Sequence, residues 1–530
     1  MSDRIVSASQ ETRRTSREWA IVTAILLLGL ICRMVLAFTR VDLIWPDEHF
    51  QTLEPAGKIV FGHAFESWEW IKGYRTWLLP LFFVPPLLFA KALGIESGLE
   101  LLHLSRAYVA WVDSVAWALF YITLRKFALG NLTRYLLLGF VAISPASLLW
   151  GVATLQDHVA MILLIFALGF SLKASALTPS ARNSITAGFL WGIPGWYKLQ
   201  TGLFSVGFVL TQATLALRAR ENFSATLRRA LAVFLGGGLA LLCIGLSDWI
   251  TWGQFAGSIL NQIRNGESIS RFYGVSPWTD GFKKLFELVD PFFWFTLGLG
   301  LIGLVFERNR PKLSLKSALP PLIGLTFFLV FHFAIPHKEV RFFLPMLPFL
   351  VLSWGFAWDA PLRSLERSIR NTVARLSRTW ERVLPSLLIA IMIGSCAGWS
   401  ITTALGRPLY LTSVDSSELE DQIGKMKELI LEDQEVCIIL GGHNWSWARG
   451  ALIVGAPVHY FEIKAEEFSS RDLPQKCHVA LVDGNHSEAF ERAYPAFRMA
   501  LLGKNRFHLW IRAERFKEIP ISDPSAHSTR

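Results

Sequence analysis

The chain has 530 residues, of which 52% are hydrophobic and only 18% are charged. A soluble globular domain usually carries about 25% charged residues, so this composition excludes an ordinary soluble protein. The formal net charge of +10 would suit a nucleic-acid-binding protein. However, the positive residues gather in short segments between apolar runs, which is typical of membrane topology. The sequence therefore predicts an integral membrane protein.

Long apolar runs follow one another along the chain and approach the roughly 20 residues that cross a hydrocarbon core. Helices buried in a soluble protein would give runs of only about 10–14 residues. The clearest runs are Trp19–Phe38, Ala230–Leu246, Pro291–Phe306 and Leu384–Leu405. The first run is too long for a secretory signal, and no small-residue cleavage site follows it. We therefore interpret residues 1–17 as a cytoplasmic tail and residues 18–405 as a transmembrane domain.

The positive-inside rule sets the orientation of the predicted spans. We place four basic segments in the cytoplasm: Arg125–Arg134, Arg218–Arg229, Arg308–Lys316 and Arg363–Arg382. The first loop on the opposite side, residues 39–106, is then large. Within it, Trp77–Leu93 is apolar, but its three prolines disrupt a straight helix, so we interpret this segment as re-entrant or juxtamembrane. This leaves about eleven transmembrane helices and an extracytoplasmic C-terminus.

Residues 406–530 differ in composition from the rest of the chain. A charged helical stretch, Ser416–Leu431, precedes short apolar strands that alternate with Gly-, Asn- and Ser-containing loops. The predicted strands are Val436–Leu440, Val458–Phe461, His478–Val482 and His508–Arg512. This pattern predicts a small extracytoplasmic α/β domain. Cys437 and Cys477 lie within it, and they either form a disulfide on this oxidising side or remain two buried thiols.

A group of acidic and polar residues follows the first span directly, from Trp45 to Glu54. Burial and neighbouring charge at an interface raise the pKa of a carboxylate towards working pH, which suits a general base. Asp47 and Glu48 are therefore candidates for catalysis. The alternative is a solvated turn that leads into a helix cap. Further candidates for substrate binding in the same group are His49, Gln51 and Glu54.

A second polar cluster, His337-Lys338-Glu339-Val340-Arg341, separates two apolar runs. If a helix begins there, Lys338 and Arg341 share one face, as do His337 and Arg341. A helix N-terminus with three potential cations is a ready anion site, and a lipid phosphate would suit it. The alternative is an ordinary interface at which the cations snorkel. Cations on this side oppose the topological preference, which favours the binding site.

Aromatic residues accompany an arginine in a third cluster, which runs from Arg271 to Trp278 and includes Tyr273. Such a set suits sugar stacking and phosphate contact, and it equally suits an aromatic belt at the membrane interface. Ionisable residues in apolar surroundings are functional candidates by default in a membrane protein. The weaker candidates of this kind are Arg75, Arg106, Gln156-Asp157-His158 and Lys198.

The three clusters occur in a fixed order along the chain. They read Pro-Asp-Glu-His-Phe-Gln-x-x-Glu-Pro-Ala, then Phe-Tyr-Gly-x-x-Pro-Trp, then His-Lys-Glu-x-Arg-Phe-x-x-Pro-x-x-Pro-Phe. This series closely resembles the dolichyl-phosphate-mannose-dependent mannosyltransferase family, and within it the GPI mannosyltransferases. The resemblance covers roughly Ile44 to Phe349, and its motifs are highly specific.

The resemblance implies a GT-C fold, which is a multi-pass membrane enzyme that inverts the anomeric centre and uses no nucleotide sugar. It implies that Asp47 is the catalytic base and that Glu48 supports it or contacts the acceptor. The donor phosphate would be held by His337, Lys338 and Arg341. Arg271, from the third cluster, is a further candidate for binding this phosphate. The other residues expected to bind substrate are His49, Gln51, Glu54, Arg75, Tyr273, Trp278 and Lys198.

Two positions depart from the pattern of the resembled family. Trp45 stands where the family usually has histidine, and Lys198-Leu199-Gln200 replaces an Arg-Pro-Thr segment. The lysine keeps the positive charge but not the fork geometry of arginine. Both departures bear on the identity of the acceptor and of the sugar.

The sequence thus predicts a transfer of a hexose, most simply mannose, from a polyprenyl- or dolichyl-phosphate donor to a glycan or glycolipid acceptor. The reaction would occur on the extracytoplasmic or lumenal face of the bacterial inner membrane or the endoplasmic reticulum membrane. It would need no metal, no cofactor beyond the lipid-linked sugar and no nucleic acid. The alternative is a transporter or flippase of lipid-linked sugars. The one-sided polar clusters and the lack of a visible internal repeat favour the enzyme.

Overall fold

The computed structural model describes residues 2–40, 45, 47–62, 66–95, 98–127, 129–174, 180–218, 223–289, 291–306, 315–376, 435–440, 458–462, 477–483, 487–501 and 507–512. Helices account for most of these residues. The predicted span Leu384–Leu405, the predicted helix Ser416–Leu431 and the basic segment Arg308–Lys316, apart from its last two residues, lie outside the described residues.

The helices are bounded as follows: α1 Ser2–Thr39, α2 Glu54–Phe61, α3 Trp68–Ile71, α4 Val84–Ala92, α5 Gly98–Leu124, α6 Asn131–Ile143, α7 Pro145–Trp150, α8 Gln156–Ala174, α9 Ala181–Gly192, α10 Pro194–Tyr197, α11 Gly202–Arg218, α12 Phe223–Trp252, α13 Gly257–Phe272, α14 Asp280–Leu288, α15 Pro291–Phe306, α16 Leu315–Ala334, α17 Leu347–Leu376 and α18 Ser487–Ala493. A π-helix spans Glu48–Leu53, and 3₁₀ helices span Pro80–Phe82, Leu199–Thr201 and Val340–Met346.

Four of the described helical stretches are long and apolar enough to cross a membrane: Ser16–Thr39, Gly98–Leu124, Ser224–Trp252 and Val340–Ser368. The predicted runs at 19–38 and 230–246 lie within the first and third of these, and the run 291–306 coincides with α15. Several other apolar helices are shorter. Prolines at helix starts account for part of this, since Pro145 and Pro194 each begin a new short helix, as proline does where its missing N–H is tolerated.

Two sequence-based boundaries differ in the structure. α5 begins at Gly98, so Arg106 lies inside the helix rather than at its start, and its side chain is fully buried. The arginine-rich segment 363–382 was expected to be a loop, but α17 continues through it as far as Leu376. The expected interruption of Trp77–Leu93 is confirmed, because only the short helices Pro80–Phe82 and α4 form there.

By its internal contacts the chain divides into two compact units, of which the first comprises Met1–Ala37, Lys72–Leu79 and Arg106–Arg407. Within it, α9 and α12 approach backbone to backbone. A Cβ atom at Gly188 would clash with the carbonyl oxygen of Val233, and one at Gly236 would clash with that of Ile185. Small residues at such crossings let apolar helices pack closely, which drives their association in a membrane.

A buried charged network joins helices of this first unit. The Arg33 Nε lies 2.9 Å from Asp113 Oδ2, and His158 Nε2 lies 2.9 Å from Asp113 Oδ1. Arg33 also donates to the carbonyl oxygens of Val141 and Ala142, at 2.8 and 2.7 Å. Ionisable side chains at membrane depth pair with one another or with carbonyls in this way, because an isolated charge there is costly.

The second unit comprises Phe38–Ile71, Pro80–Ser105 and Pro408–Arg530. It holds a five-stranded sheet with the order β2-β1-β3-β5-β4. The strands are β1 Glu435–Leu440, β2 Val458–Glu462, β3 Cys477–Asp483, β4 Phe497–Leu501 and β5 Phe507–Arg512. β1 is parallel to β2 and β3, and β5 is antiparallel to β3 and β4. The four predicted strands are confirmed, and β4 is an addition.

Candidate active site

The acidic segment after the first span is buried rather than solvated. Asp47 has an exposed fraction of 9%, whereas Glu48, His49 and Glu54 are each at 0%. Residues 48–53 form a π-helix that continues directly into α2. A π-helix is rare and is found frequently at functional sites. The burial favours the general-base interpretation over the solvated turn, and Gln51 belongs to the same buried turn, at 5%.

Hydrogen bonds hold this irregular turn in place. The backbone N–H of Trp45 donates to Glu48 Oε1 at 3.3 Å, and the Thr52 hydroxyl donates to the Glu48 carbonyl at 2.5 Å. The indole Nε1 of the buried Trp70 donates to the Phe50 carbonyl at 3.1 Å. The sequence pattern gave no sign of the π-helix, because a single π-turn has too few residues to show a periodicity.

The His337–Arg341 segment takes a different form from the expected one. Glu339 is extended and the 3₁₀ helix begins only at Val340, so the expectation that Lys338 and Arg341 share a helical face is wrong. Pro336 and Pro345 flank the segment, and proline restricts both itself and the residue before it. Glu339 instead joins His337 and Arg341 through its two carboxylate oxygens.

Glu339 links two of the predicted phosphate ligands. Its Oε1 accepts from His337 Nε2 at 2.8 Å, and its Oε2 accepts from Arg341 Nε at 2.5 Å. Burial raises the pKa of Glu339, but Arg341 and His337 more than offset this and lower it to about 2. Glu339 is therefore an anion at any physiological pH, and it fixes the orientation of both neighbours.

Lys338 is held by backbone carbonyls. Its Nζ donates to the carbonyl oxygens of Ser276 and Ile335, at 3.1 and 2.8 Å. The Ser276 N–H and hydroxyl both donate to the Pro336 carbonyl, at 2.9 and 3.1 Å. Burial lowers the pKa of Lys338, and the charge of Asp280 acts in the opposite direction. The loop after α13 is thus fastened to the segment that carries the predicted phosphate ligands.

Residues of the third cluster are placed differently from one another. The Tyr273 ring centroid lies 5.9 Å from that of His337, so Tyr273 joins the second cluster. The Arg271 guanidinium is exposed and pairs with Glu267 at 3.0 Å. Trp278 has an exposed fraction of 62%, and its ring lies 5.9 Å from that of Phe282. The structure therefore brings Tyr273 to the cations and leaves Arg271 and Trp278 at the surface.

Lys198 also reaches this cluster. It lies in an extended break between α10 and the 3₁₀ helix Leu199–Thr201, and its Nζ donates to Asp157 Oδ1. The same Nζ lies 3.7 Å from the centroid of the Phe342 ring. Burial lowers the pKa of Lys198 to about 8, with Asp157 raising it and the Arg341 charge lowering it further.

Arg75, from another part of the sequence, contacts the residue next to the partner of Lys198. Its guanidinium donates to Gln156 Oε1 at 2.9 Å, so consecutive residues of α8 hold Arg75 and Lys198. Sequence reasoning had singled out Gln156-Asp157-His158 only weakly, and it gave no role to Glu339 or Phe342. An ion-pair partner more than 40 residues away leaves no local signal. Among the described residues, no group of three or more His, Cys, Asp and Glu side chains could hold a metal ion.

The chain is similar in sequence to known proteins. A profile of the Alg9-like mannosyltransferase family matches residues 24–407. GPI mannosyltransferase 3 of Yarrowia lipolytica is 25% identical over 375 residues, which cover 68% of this chain and 65% of that protein. GPI alpha-1,2-mannosyltransferase 3 of Homo sapiens is 25% identical over 357 residues, covering 64% and 59%. The chain thus spans slightly less than two thirds of the length of these curated relatives.

Solved structures share the fold. The crystal structure of ArnT from Cupriavidus metallidurans in the apo state has a TM-score of 0.58 and 14% identity, covering 95% of this chain and 99% of ArnT. The same enzyme bound to undecaprenyl phosphate has a TM-score of 0.56 and 12% identity, covering 93% and 98%. This likeness confirms the expected GT-C fold. The profile match includes Asp47, Lys198 and the His337–Arg341 segment, and it takes in well over half of the sequence. The chain therefore belongs to the Alg9-like mannosyltransferase family.

Proposed function

We propose that this chain is an inverting glycosyltransferase that transfers mannose from a polyprenyl- or dolichyl-phosphate donor to a glycan or glycolipid acceptor. Its family membership supports glycosyl transfer, and the relatives it matches are named mannosyltransferases. A protein of the same fold has been solved with undecaprenyl phosphate. The observation that carries the proposal is the group of buried cations around Phe342, which suits a lipid-linked phosphate.

The cations of this group stabilise the leaving phosphate more than the bound donor. His337, Lys338 and Arg341 hold the phosphate, and Lys198 and Arg75 extend the positive surface. The donor is a phosphodiester with one negative charge, and the departing lipid phosphate has two. Since the charge grows during the reaction, fixed cations in a buried site lower the barrier. No general acid is needed, because a phosphate is a good leaving group.

Asp47 acts as the general base in this proposal. The acceptor hydroxyl oxygen attacks the anomeric carbon from the face opposite the phosphate, and its proton passes to the Asp47 carboxylate. The bond from the anomeric carbon to the phosphate oxygen breaks, and its electron pair leaves with the lipid phosphate. The transition state has oxocarbenium character, as in other glycosyl transfers. Glu48 supports Asp47 or contacts the acceptor.

We infer that the protein is a multi-pass protein of the bacterial inner membrane or the endoplasmic reticulum membrane, with about eleven crossings. The acceptor is used on the extracytoplasmic or lumenal face, and the sheet-containing C-terminal segment forms a small α/β domain there. The four long apolar helices support the membrane assignment. The lipid-linked sugar is the only co-substrate, and no metal enters the scheme.

Reconstituted transfer tests this proposal. Purified protein in proteoliposomes is given polyprenyl-phosphate-mannose and a panel of glycan and glycolipid acceptors, and released polyprenyl phosphate is measured together with the glycosylated product. Asp47→Asn should lower kcat by about 10²–10⁴ while leaving the donor KM nearly unchanged. Glu100→Gln is the matched control, because Glu100 is an exposed carboxylate, and it should behave as wild type. Wild-type turnover by Asp47→Asn would remove Asp47 as the base.

A further inference from the structure

We propose that Asp157 is a positioning residue that holds Lys198 as a ligand of the donor phosphate. Together with Gln156, it makes the first turn of α8 the support of two phosphate-binding cations. This inference rests on the proposed function and assigns two residues, Asp157 and Gln156, that hold the cations of the donor site. Asp157 itself touches neither substrate nor donor.

Hydrogen bonds fix the backbone at Lys198. Lys198 has φ −146° and ψ 111°, between two short helices. Its N–H donates to the Pro194 carbonyl at 3.0 Å, and its carbonyl accepts from the Thr201 hydroxyl at 2.6 Å. The side chain is only 6% exposed. The helical backbone is thus interrupted at Lys198, the residue whose side chain contacts Asp157 and Phe342.

Asp157 supplies the counter-charge of Lys198 from another helix. Its side chain is fully buried, with Oδ1 on Lys198 Nζ and with Oδ2 lacking a hydrogen-bond partner among the described residues. A buried ion pair usually contributes no more stability than two well-packed apolar residues. A carboxylate satisfied on only one oxygen is a still poorer stabiliser. Stability alone therefore gives no reason to keep this pair, whereas holding an ammonium group near the donor does.

The residue before Asp157 holds a second cation by a hydrogen bond. Gln156 accepts from the Arg75 guanidinium at 2.9 Å. The Arg75 carbonyl accepts from Trp252 Nε1 at 3.0 Å, which ties the segment around Arg75 to α12. Two cations that are 123 positions apart in the sequence thus end on consecutive residues of one helical turn.

Titratable side chains from several neighbouring elements interact with Lys198. Asp157 contacts it from α8, and Arg341 and Glu339 act on it from the start of the 3₁₀ helix and the residue before it. The charge of Lys198 also acts on His332 of α16. Burial brings the pKa of Lys198 to about 8, and Asp157 raises that value against burial and Arg341. Lys198 is thus charged below about pH 8 and loses its charge as pH rises through that value. Removing Asp157 moves the loss to lower pH.

The test is the pH dependence of the donor KM and of kcat, measured in proteoliposomes from about pH 6 to about pH 10. In the wild type, the donor KM should rise by about 10- to 100-fold above about pH 8, which is the loss of one charge-assisted contact. In Asp157→Asn this rise should begin at lower pH, and Asp157→Glu should restore much of the wild-type profile. In Lys198→Arg the rise should vanish, because arginine stays charged throughout.

Asp359→Asn is the matched structural control. Asp359 is also a buried carboxylate, and it accepts from the Gly130 N–H at 2.6 Å and from the Thr133 hydroxyl at 2.9 Å, remote in sequence from α8. Its loss should lower thermal stability without moving the pH profile. If Asp157→Asn lowers stability and likewise leaves the profile in place, Asp157 is merely structural. A profile in Lys198→Arg that matches the wild type would equally overturn the assignment.

Binding of undecaprenyl phosphate to the purified protein separates this inference from the proposed function, because binding needs no transfer. If the lipid phosphate binds with the Asp157-dependent pH profile but no hexose is transferred, the positioning role stands and the proposed function fails. If hexose is transferred but the Asp157→Asn profile does not move, the function stands and the positioning role fails. If there is neither hexose transfer nor pH-dependent binding, the proposed function and the positioning role both fail.

Discussion

The ammonium nitrogen of Lys198 lies 3.7 Å from the centre of the Phe342 ring. The guanidinium carbon of Arg341 lies 5.4 Å from the same ring, and the His337 ring centroid lies 6.0 Å from it. An aromatic face attracts cations through its quadrupole without neutralising them, as a carboxylate would. Phe342 therefore adds a contact to Lys198 and Arg341, which Asp157 and Glu339 already pair, without adding a further negative charge.

Replacing Phe342 with leucine removes this attraction but keeps an apolar side chain. A cation–π contact contributes about 0.5–2 kcal/mol, depending on solvent exposure. We expect the donor KM to rise by about 2- to 30-fold, with a smaller effect on kcat, because the cations lose their common anchor before the chemical step. Phe342→Tyr keeps the ring and should remain near wild type. An unchanged donor KM in Phe342→Leu would show that the ring only fills space.

Glu339 provides a prediction about acidic pH. Its pKa is lowered in the folded protein to about 2, so its ionic contribution is complete above the ordinary glutamate value and is lost only as pH falls through about 2. Between about pH 7 and about pH 5, Glu339 should therefore cause no change in donor binding. A fall in donor affinity over this interval that disappears in Glu339→Gln would contradict the assignment.

The same residue can be tested by substitution at neutral pH. Glu339→Gln weakens the anchor of His337 and Arg341, and kcat/KM for the donor should fall by about tenfold, which is the effect of one charge-assisted hydrogen bond at about 1.5 kcal/mol. Glu267→Gln is the control, because Glu267 pairs with Arg271 at an exposed position, where ion pairs contribute little. A similar loss in Glu267→Gln would instead place Arg271 in the donor site.

The sequence predicted the long helices and the polar segments well, because both are local patterns. Apolar runs mark α1, α12 and α15, and polar residues between such runs mark Asp47–Glu54 and His337–Arg341. The predicted strands of the C-terminal segment are present for the same reason, since short apolar runs between turn residues are a local signal.

The remaining features depend on tertiary contacts that no local pattern records. The Arg75–Gln156 and Lys198–Asp157 contacts join residues 81 and 41 positions apart. The start of a 3₁₀ helix at Val340, rather than a helix from His337, follows from flanking prolines and from the bonds of Glu339. The residue types predicted the polar site, but the assumed helical spacing did not predict the arrangement of its side chains.

A substitution at Trp70 tests whether the π-helix contributes to catalysis. Its indole N–H donates to the Phe50 carbonyl inside the π-helix, and Trp70→Phe removes that donor while keeping an aromatic ring. We expect a loss of about 1 kcal/mol in stability and a larger relative fall in kcat than in the donor affinity, because the turn carries Asp47. Trp68→Phe is the control, since Trp68 is only partly buried. Thermal unfolding and initial rates measure the two effects, and an unchanged kcat in Trp70→Phe would separate the π-helix from the chemistry.

The buried network of Arg33, Asp113 and His158 gives the last prediction. His158 Nδ1 lies 3.0 Å from the Ala153 carbonyl, which can only accept, so this nitrogen carries a proton. Nε2 lies 2.9 Å from Asp113 Oδ1, and Arg33 Nε lies 2.9 Å from Asp113 Oδ2. Asp113→Leu leaves the buried Arg33 guanidinium without its carboxylate partner.

We expect Asp113→Leu to cost about 3–5 kcal/mol, because it leaves the buried Arg33 guanidinium unpaired. The double variant Asp113→Leu with Arg33→Met should recover much of this loss, since it removes both charges and fills the space with apolar atoms. Ser114→Ala is a control on the same helix, because the Ser114 hydroxyl donates within α5 to the Ala110 carbonyl at 2.8 Å. Thermal unfolding in detergent, followed by tryptophan fluorescence, gives the comparison. If the double variant is as unstable as Asp113→Leu alone, Arg33 is satisfied by the Val141 and Ala142 carbonyls, and the ion pair is not what joins these helices.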